Sequence, residues 1–194
     1  MESVDKRQAI LEAAGKQFGM FGFHDTKMEA IAEAAGVAKG TVYLYFKDKN
    51  ALLFEVARFH MQRYLDRVRQ EIEPYQLAQD KLRAYARIHT SHFSEMLQFN
   101  KLNFEQLMKA GKTEDMIERI REAHRAQLQL LEGIIQYGME RGEFRAVNAT
   151  DAAIIVIGSL HTYIHSVAIG SVERKHGDAQ ADSLIDLLIG GLGC

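Results

Sequence analysis

Apolar residues recur every three to four positions along most of the chain, the repeat of helices with one buried face. Ile10, Ala14, Phe18 and Phe21 trace such a stripe on a helix from about Asp5 to Met20, which Gly22 closes. Val56, Phe59, Leu65, Val68 and Ile72 carry a second stripe, until Pro74 disfavours helix at Glu73 and turns the chain. Beyond that break the pattern predicts helices near Leu77 to Leu97, Lys101 to Lys109, Thr113 to Arg141, Ala149 to Ile169 and Asp178 to Leu192. Gly111, Gly142 and the pair Gly177-Asp178 punctuate them, with Thr113, Thr150 and Asp178 as N-caps. With 1 proline in 194 residues, the reading is all-α, about nine helices in total.

The stretch from Phe23 to Leu52 is the most informative. Thr26-Lys27-Met28-Glu29 has capping-box spacing, which predicts a helix from Lys27 with Met28, Ile31, Ala32 and Ala35 on its inner face. Gly36 is free to take a left-handed turn, and Val37 and Val42 supply the apolar side of the next helix. A small residue at Ala32, a glycine turn at Gly36 and a branched residue at Val42 give the spacing of a helix-turn-helix. Its second helix opens with Lys39, Gly40 and Thr41, where a cation, a bare backbone and a hydroxyl with a methyl can meet base edges in a major groove.

The run Gly22 to Lys49 resembles the DNA-binding domain of TetR-family transcriptional regulators, and the flanking helices extend the likeness from about Asp5 to Ala57. The resemblance implies an N-terminal three-helix helix-turn-helix domain over 1–49, a connecting helix over 48–72, and a helical effector-binding and dimerisation domain over 50–194. It assigns a phosphate contact to Thr26 beside Lys27, backbone contacts to Tyr43 and Tyr45, a groove position to Leu44, and a phosphate clamp to Lys49; Phe46 reads as core. The implied activity is a cytoplasmic repressor, not an enzyme, that binds a double-stranded operator. Gly40 to Lys47 resembles the reading helix of family members that repress fatty-acid degradation, so a lipophilic effector such as a long-chain acyl-CoA is the expected ligand.

Charge sharpens this picture. Residues 1–49 hold seven basic and seven acidic side chains, so bulk attraction does not mark a DNA binder. From Gly36 to Lys49, however, Lys39, Lys47 and Lys49 face only Asp48. So few cations per subunit give modest affinity, and a homodimer with reading helices roughly 34 to 36 Å apart on a pseudo-palindrome is required. The expected dimer surface is Leu184, Leu187 and Leu188 with Ile157, Leu160 and Ile164, on the last two helices. Ala152 to Gly170 is long and apolar enough to cross a bilayer, but His161, Thr162, His165 and Ser166 favour a buried helix and no membrane partner. A single cysteine, the last residue, rules out an internal disulfide.

The expected effector site gathers His89, His92, Phe93, Met96, Phe99, Asn103, Phe104, Leu107, Met108 and Tyr137, an apolar set with a few polar groups. His89 with His92, and His161 with His165, have spacings that suit a metal on a helix face, and a helical metal-binding enzyme is the competing reading. No third ligand, nucleophile elbow or phosphate loop accompanies them, so neither metal nor cofactor is expected. A third reading keeps DNA binding but has the C-terminal domain dock a protein.

Overall fold

The computed structural model describes residues 3–110, 114–173 and 179–192, which hold eight helices and no strand. In chain order they are α1 Ser3–Asp25, α2 Met28–Ala34, α3 Lys39–Tyr45, α4 Lys49–Ile72, α5 Ala78–Ala110, α6 Glu114–Glu140, α7 Ala149–Ala168 and α8 Ala179–Leu192. The helices expected at Leu77 to Leu97 and Lys101 to Lys109 are one, α5, because nothing in Gln98-Phe99-Asn100 breaks a helix. The contacts form two compact units, Met1–Arg63 with Glu95–Arg121, and Tyr64–Ser94 with Glu122–Cys194.

The first unit is built on Ile10, Ala14, Phe18, Ile31, Val42, Leu52 and Val56, all fully buried. Gly22 interrupts α1 with φ 74° and ψ 174°, a backbone open to glycine almost alone. That kink turns Phe23 into the core and leaves Phe21, expected on the buried stripe, 51% exposed. The end of α5 completes the same core. Phe99 is buried in it, Met96 packs against it, and the Asn103 amide donates to the carbonyls of Phe18 at 3.0 Å and Phe99 at 2.8 Å.

In the second unit, Tyr64, Leu65 and Val68 of α4 are buried, as are Leu82, Tyr85 and Ala86 of α5 and Leu131 and Ile135 of α6. Ala153, Val156, Leu160 and Ile164 line the buried face of α7, which is therefore packed against protein despite its membrane-like length and composition. Arg87 pairs with Asp182 and Arg83 with Asp186, pinning α8 to α5. The N-cap of α7 is Asn148, whose side chain accepts from the Asp151 amide at 3.0 Å; Thr150, expected in that role, lies inside the helix and donates to Glu132. The caps expected at Thr113 and Asp178 lie outside the described residues.

Candidate functional site

α2 and α3 are joined by a turn whose geometry follows from one glycine. Gly36 has φ 66°, its amide donates to Glu33 O at 3.0 Å, and the Val37 amide reaches back to Ala32 O at 3.0 Å. This pair of bonds is a Schellman closure, which satisfies the last carbonyls of α2 while redirecting the chain. Val42, fully buried, locks α3 against the shared core, as Phe46 does at its end.

The opposite face of α3 is open. Lys39, Gly40, Tyr43 and Leu44 are exposed, Thr41 is half-buried, and Leu44 at 85% is the most exposed large apolar residue among those described. An apolar side chain held out on a short helix of lysine, threonine and tyrosine suits thymine methyls and deoxyribose edges. Lys39 is ion-paired with Glu29 of α2 and its ammonium lies 5.9 Å from the centre of the Tyr43 ring. The hydrogen bond to Glu29 raises the pKa of Lys39, which keeps it cationic, and a phosphate or base must compete with that carboxylate. Tyr45 is half-buried against the core, and Lys27 is exposed on the approach to α2.

Two expected contacts are engaged inside the fold instead. Thr26 is 2% exposed, and its hydroxyl donates to Gly22 O at 2.7 Å and to Gln17 O at 3.1 Å. The capping box therefore does not form; Lys27 is the N-cap of α2, without a side-chain cap bond. The hydroxyl instead bonds back to Gly22 O, four residues earlier, a carbonyl that also accepts from the Thr26 amide at 3.3 Å. Lys49 donates to Thr26 O at 2.8 Å and His24 O at 3.3 Å, with its ammonium 4.4 Å from the centre of the Phe23 ring. Burial pushes its pKa down, opposed by Asp25, and its position on the last carbonyls of α1 is that of a helix C-cap cation.

The second unit holds a polar cluster walled by aromatic rings. Tyr64 OH and His89 Nδ1 are 2.7 Å apart, Gln127 Nε2 donates to Tyr85 OH at 2.8 Å, and the Tyr85 and Tyr64 hydroxyls are bonded to each other. His89 is 2% exposed and stacks on Tyr85, with the rings of Phe93 and His161 centred 5.6 and 5.0 Å away. Burial, reinforced by His161 and His92, pulls its pKa down to about 3, so it is neutral at physiological pH. His161 is also shifted down, by burial and then by His124.

The expected effector set thus divides. His89, His92 and Phe93 belong to this cluster, His92 by stacking on Tyr64. Met96, Phe99 and Asn103 serve the core of the first unit. Tyr137 donates to Gln76 O at 2.9 Å, with Lys81 and Arg141 over its ring. The side chains of Phe104, Leu107 and Met108 lie outside the described set. The pairing that forms is His89 with His161, across two helices, rather than either pair along one helix. Tyr64, Tyr85 and Gln127 were missed because a hydroxyl on an apolar stripe carries no sequence signal of what it faces.

The expected dimer surface also changes. Ile157, Leu160 and Ile164 are at most 5% exposed and fill the subunit's own core. What α7 presents is Ile154 at 51% and Ile155 at 54%, next to Leu187 at 74% on α8, one of the residues expected there. An open apolar groove of about 500 Å³ runs there, lined by Ile155, Val156, Leu187 and Leu188, and Leu184 borders a second.

A tight two-helix turn that holds out a polar and aromatic helix, joined to a helical unit with a buried polar cluster, defines a helix-turn-helix transcriptional regulator. The chain belongs to the TetR family: the description "Bacterial regulatory proteins, tetR family" matches residues 10–56, and "Tetracyclin repressor-like, C-terminal domain" matches residues 78–185. The Bacillus subtilis "Fatty acid metabolism regulator protein" is 26% identical over 189 residues, covering 96% of this chain and 95% of that one. The Escherichia coli regulator RutR is 51% identical, but over 53 residues, 27% of this chain and 25% of its own. The crystal structure of the Bacillus subtilis regulator FadR in complex with stearoyl-CoA shares the fold with a TM-score of 0.75, at 24% identity over 96% of this chain and 99% of that one.

Proposed function

We propose that the protein is a cytoplasmic repressor that binds a pseudo-palindromic operator as a homodimer and is released by a long-chain acyl-CoA, acting by binding rather than catalysis. The observation that carries this reading is where the sequence likeness extends. Likeness to RutR covers 53 residues, about a quarter of each chain, whereas likeness to the fatty acid metabolism regulator covers 189 residues and so takes in the second unit, where an effector would sit. The exposed strip of Ile155 and Leu187 supports the dimer, since apolar residues held in water on neighbouring helices are stabilised by a symmetry mate. Lys39, Gly40, Thr41, Tyr43, Leu44 and Tyr45 would read the groove, Lys27 would meet phosphate, and effector binding would favour a head spacing the operator does not accept.

The test uses fluorescence anisotropy on an inverted repeat selected from random duplexes. Saturating stearoyl-CoA is expected to weaken operator binding at least tenfold; unchanged affinity overturns the effector assignment. Lys39→Ala is expected to reduce affinity and to lower the slope of log K against log salt by about 1, leaving the dimer intact. An unchanged slope would place Lys39 away from the phosphates.

A further inference from the structure

We infer that Glu29 is a specificity-determining residue of the DNA interface, a carboxylate that holds the Lys39 ammonium for a guanine edge and makes it a poor partner for phosphate; the assignment rests on the proposed reading role of α3. The closed turn at Gly36 brings the first residue of α3 against the first turn of α2, and there Lys39 and Glu29 form an ion pair. Tyr43, one turn along α3, places the centre of its ring 5.9 Å from the same ammonium. The side chains of Lys39 and Glu29 remain 52% and 59% exposed, beside the outward face of α3. An exposed pair of this kind adds little to folding, so its consequence falls on whatever approaches Lys39.

The chemistry follows from the donors and charges at this pair. An ammonium has three N–H groups, and one serves Glu29, which leaves two for an incoming partner. Guanine presents O6 and N7 side by side in the major groove, two neutral acceptors that take those hydrogens without disturbing the carboxylate. A phosphate oxygen carries its own negative charge. To reach the same ammonium it must come up beside Glu29 or displace it, and either costs affinity. The hydrogen bond from Lys39 holds the Glu29 carboxyl below its usual range, and the bond to Glu29 raises the pKa of Lys39, so both partners stay charged at neutral pH. Sequence-independent binding depends almost wholly on phosphate, whereas base edges carry specificity. A carboxylate that handicaps the first and spares the second therefore raises the ratio between them. Lys39→Ala leaves the same carboxylate near the duplex without its cation, in keeping with the loss of affinity and of salt dependence expected for that variant.

The experiment measures operator and random-duplex affinity by fluorescence anisotropy at one fixed salt concentration, for the wild type, Glu29→Gln, Glu33→Gln, Lys39→Ala, and Lys39→Ala combined with Glu29→Gln. Glu33 is exposed one turn further along α2, so its variant makes the same change in net charge. The ratio of operator to random-duplex affinity is expected to fall about fivefold in Glu29→Gln and by less than about twofold in Glu33→Gln. It is expected to be the same in Lys39→Ala with and without Glu29→Gln. Half-sites that the wild type selects from random duplexes are expected to fix a guanine that Lys39→Ala no longer requires. An unchanged ratio in Glu29→Gln, an equal fall in Glu33→Gln, or identical half-sites for the wild type and Lys39→Ala would overturn the role of Glu29 alone. Operator affinity of Lys39→Ala equal to that of the wild type would overturn the placement of α3 on DNA and this inference with it.

Discussion

Replacing Gly138 with alanine is expected to destabilise the protein by about 2 kcal/mol, although alanine normally improves a helix interior by about 1 kcal/mol. Gly138 lies near the end of α6, and a Cβ there would overlap the edge of the Phe144 ring, 2.5 Å from Cε2, and come within 2.8 Å of Ala78 Cβ. The ring has no room to retreat. Phe144 is 3% exposed, its amide donates to Gly138 O at 3.2 Å, and the neighbouring Glu143 carboxylate accepts from the Ala78 amide at 2.7 Å. The Schellman turn at Gly142, with φ 73°, folds this segment back onto α6, so ring, turn and the start of α5 would all have to shift. For a chain of this size the loss corresponds to a fall in Tm of about 4–8 °C. Gly133 is the control in the same helix: a Cβ there meets nothing within 4 Å, and Gly133→Ala is expected to be neutral or stabilising by up to about 1 kcal/mol. Equal thermal shifts for the two variants would show that Phe144 does not pack against α6.

The second large effect is on acid stability. His89 has a folded pKa of about 3 against about 6.5 in an unfolded chain, so as pH falls through 6.5 the unfolded state takes up a proton that the folded state refuses. The folded state therefore loses stability between about pH 6.5 and 3, at up to about 1.4 kcal/mol per pH unit, and the loss stops below the folded pKa. His161 and His60 are shifted down as well, chiefly by burial, and add to the same limb. In urea titrations between pH 7.5 and 4, His89→Phe is expected to unfold with a slope shallower by about 1 kcal/mol per pH unit, whatever its stability at neutral pH. A limb as steep as the wild type's would mean that His89 takes its proton while folded.

Much of the reading head was legible because its determinants are local. The Ala32, Gly36 and Val42 spacing specifies a turn that is built within a dozen residues, and the structure places each as the spacing requires. The Thr26 cap failed for an instructive reason: its hydroxyl bonds back to the carbonyl of Gly22 four residues earlier, as Thr90 and Ser159 also do to their own i−4 carbonyls, and capping-box spacing does not distinguish the two options. The outward face of α7 was not legible because the helix is apolar almost all round, so spacing alone does not say which face meets the subunit's own core. Ile157 and Ile154 are equally apolar, yet one is 5% and the other 51% exposed. The polar cluster was half legible. His89 and His161 stand out as histidines in apolar segments, but their meeting depends on α5 and α7 packing, a tertiary fact.

The two units share the chain in an interleaved way that bears on how members of this family can be recombined. The polypeptide passes from one unit to the other three times, inside α4, inside α5 and inside α6. A chimera that takes residues 1–63 from this protein and the rest from a relative would separate Phe18 from its own Asn103 and the first core from its own Phe99. A working exchange of operator preference therefore has to carry two segments, or be confined to the outward side chains of α3.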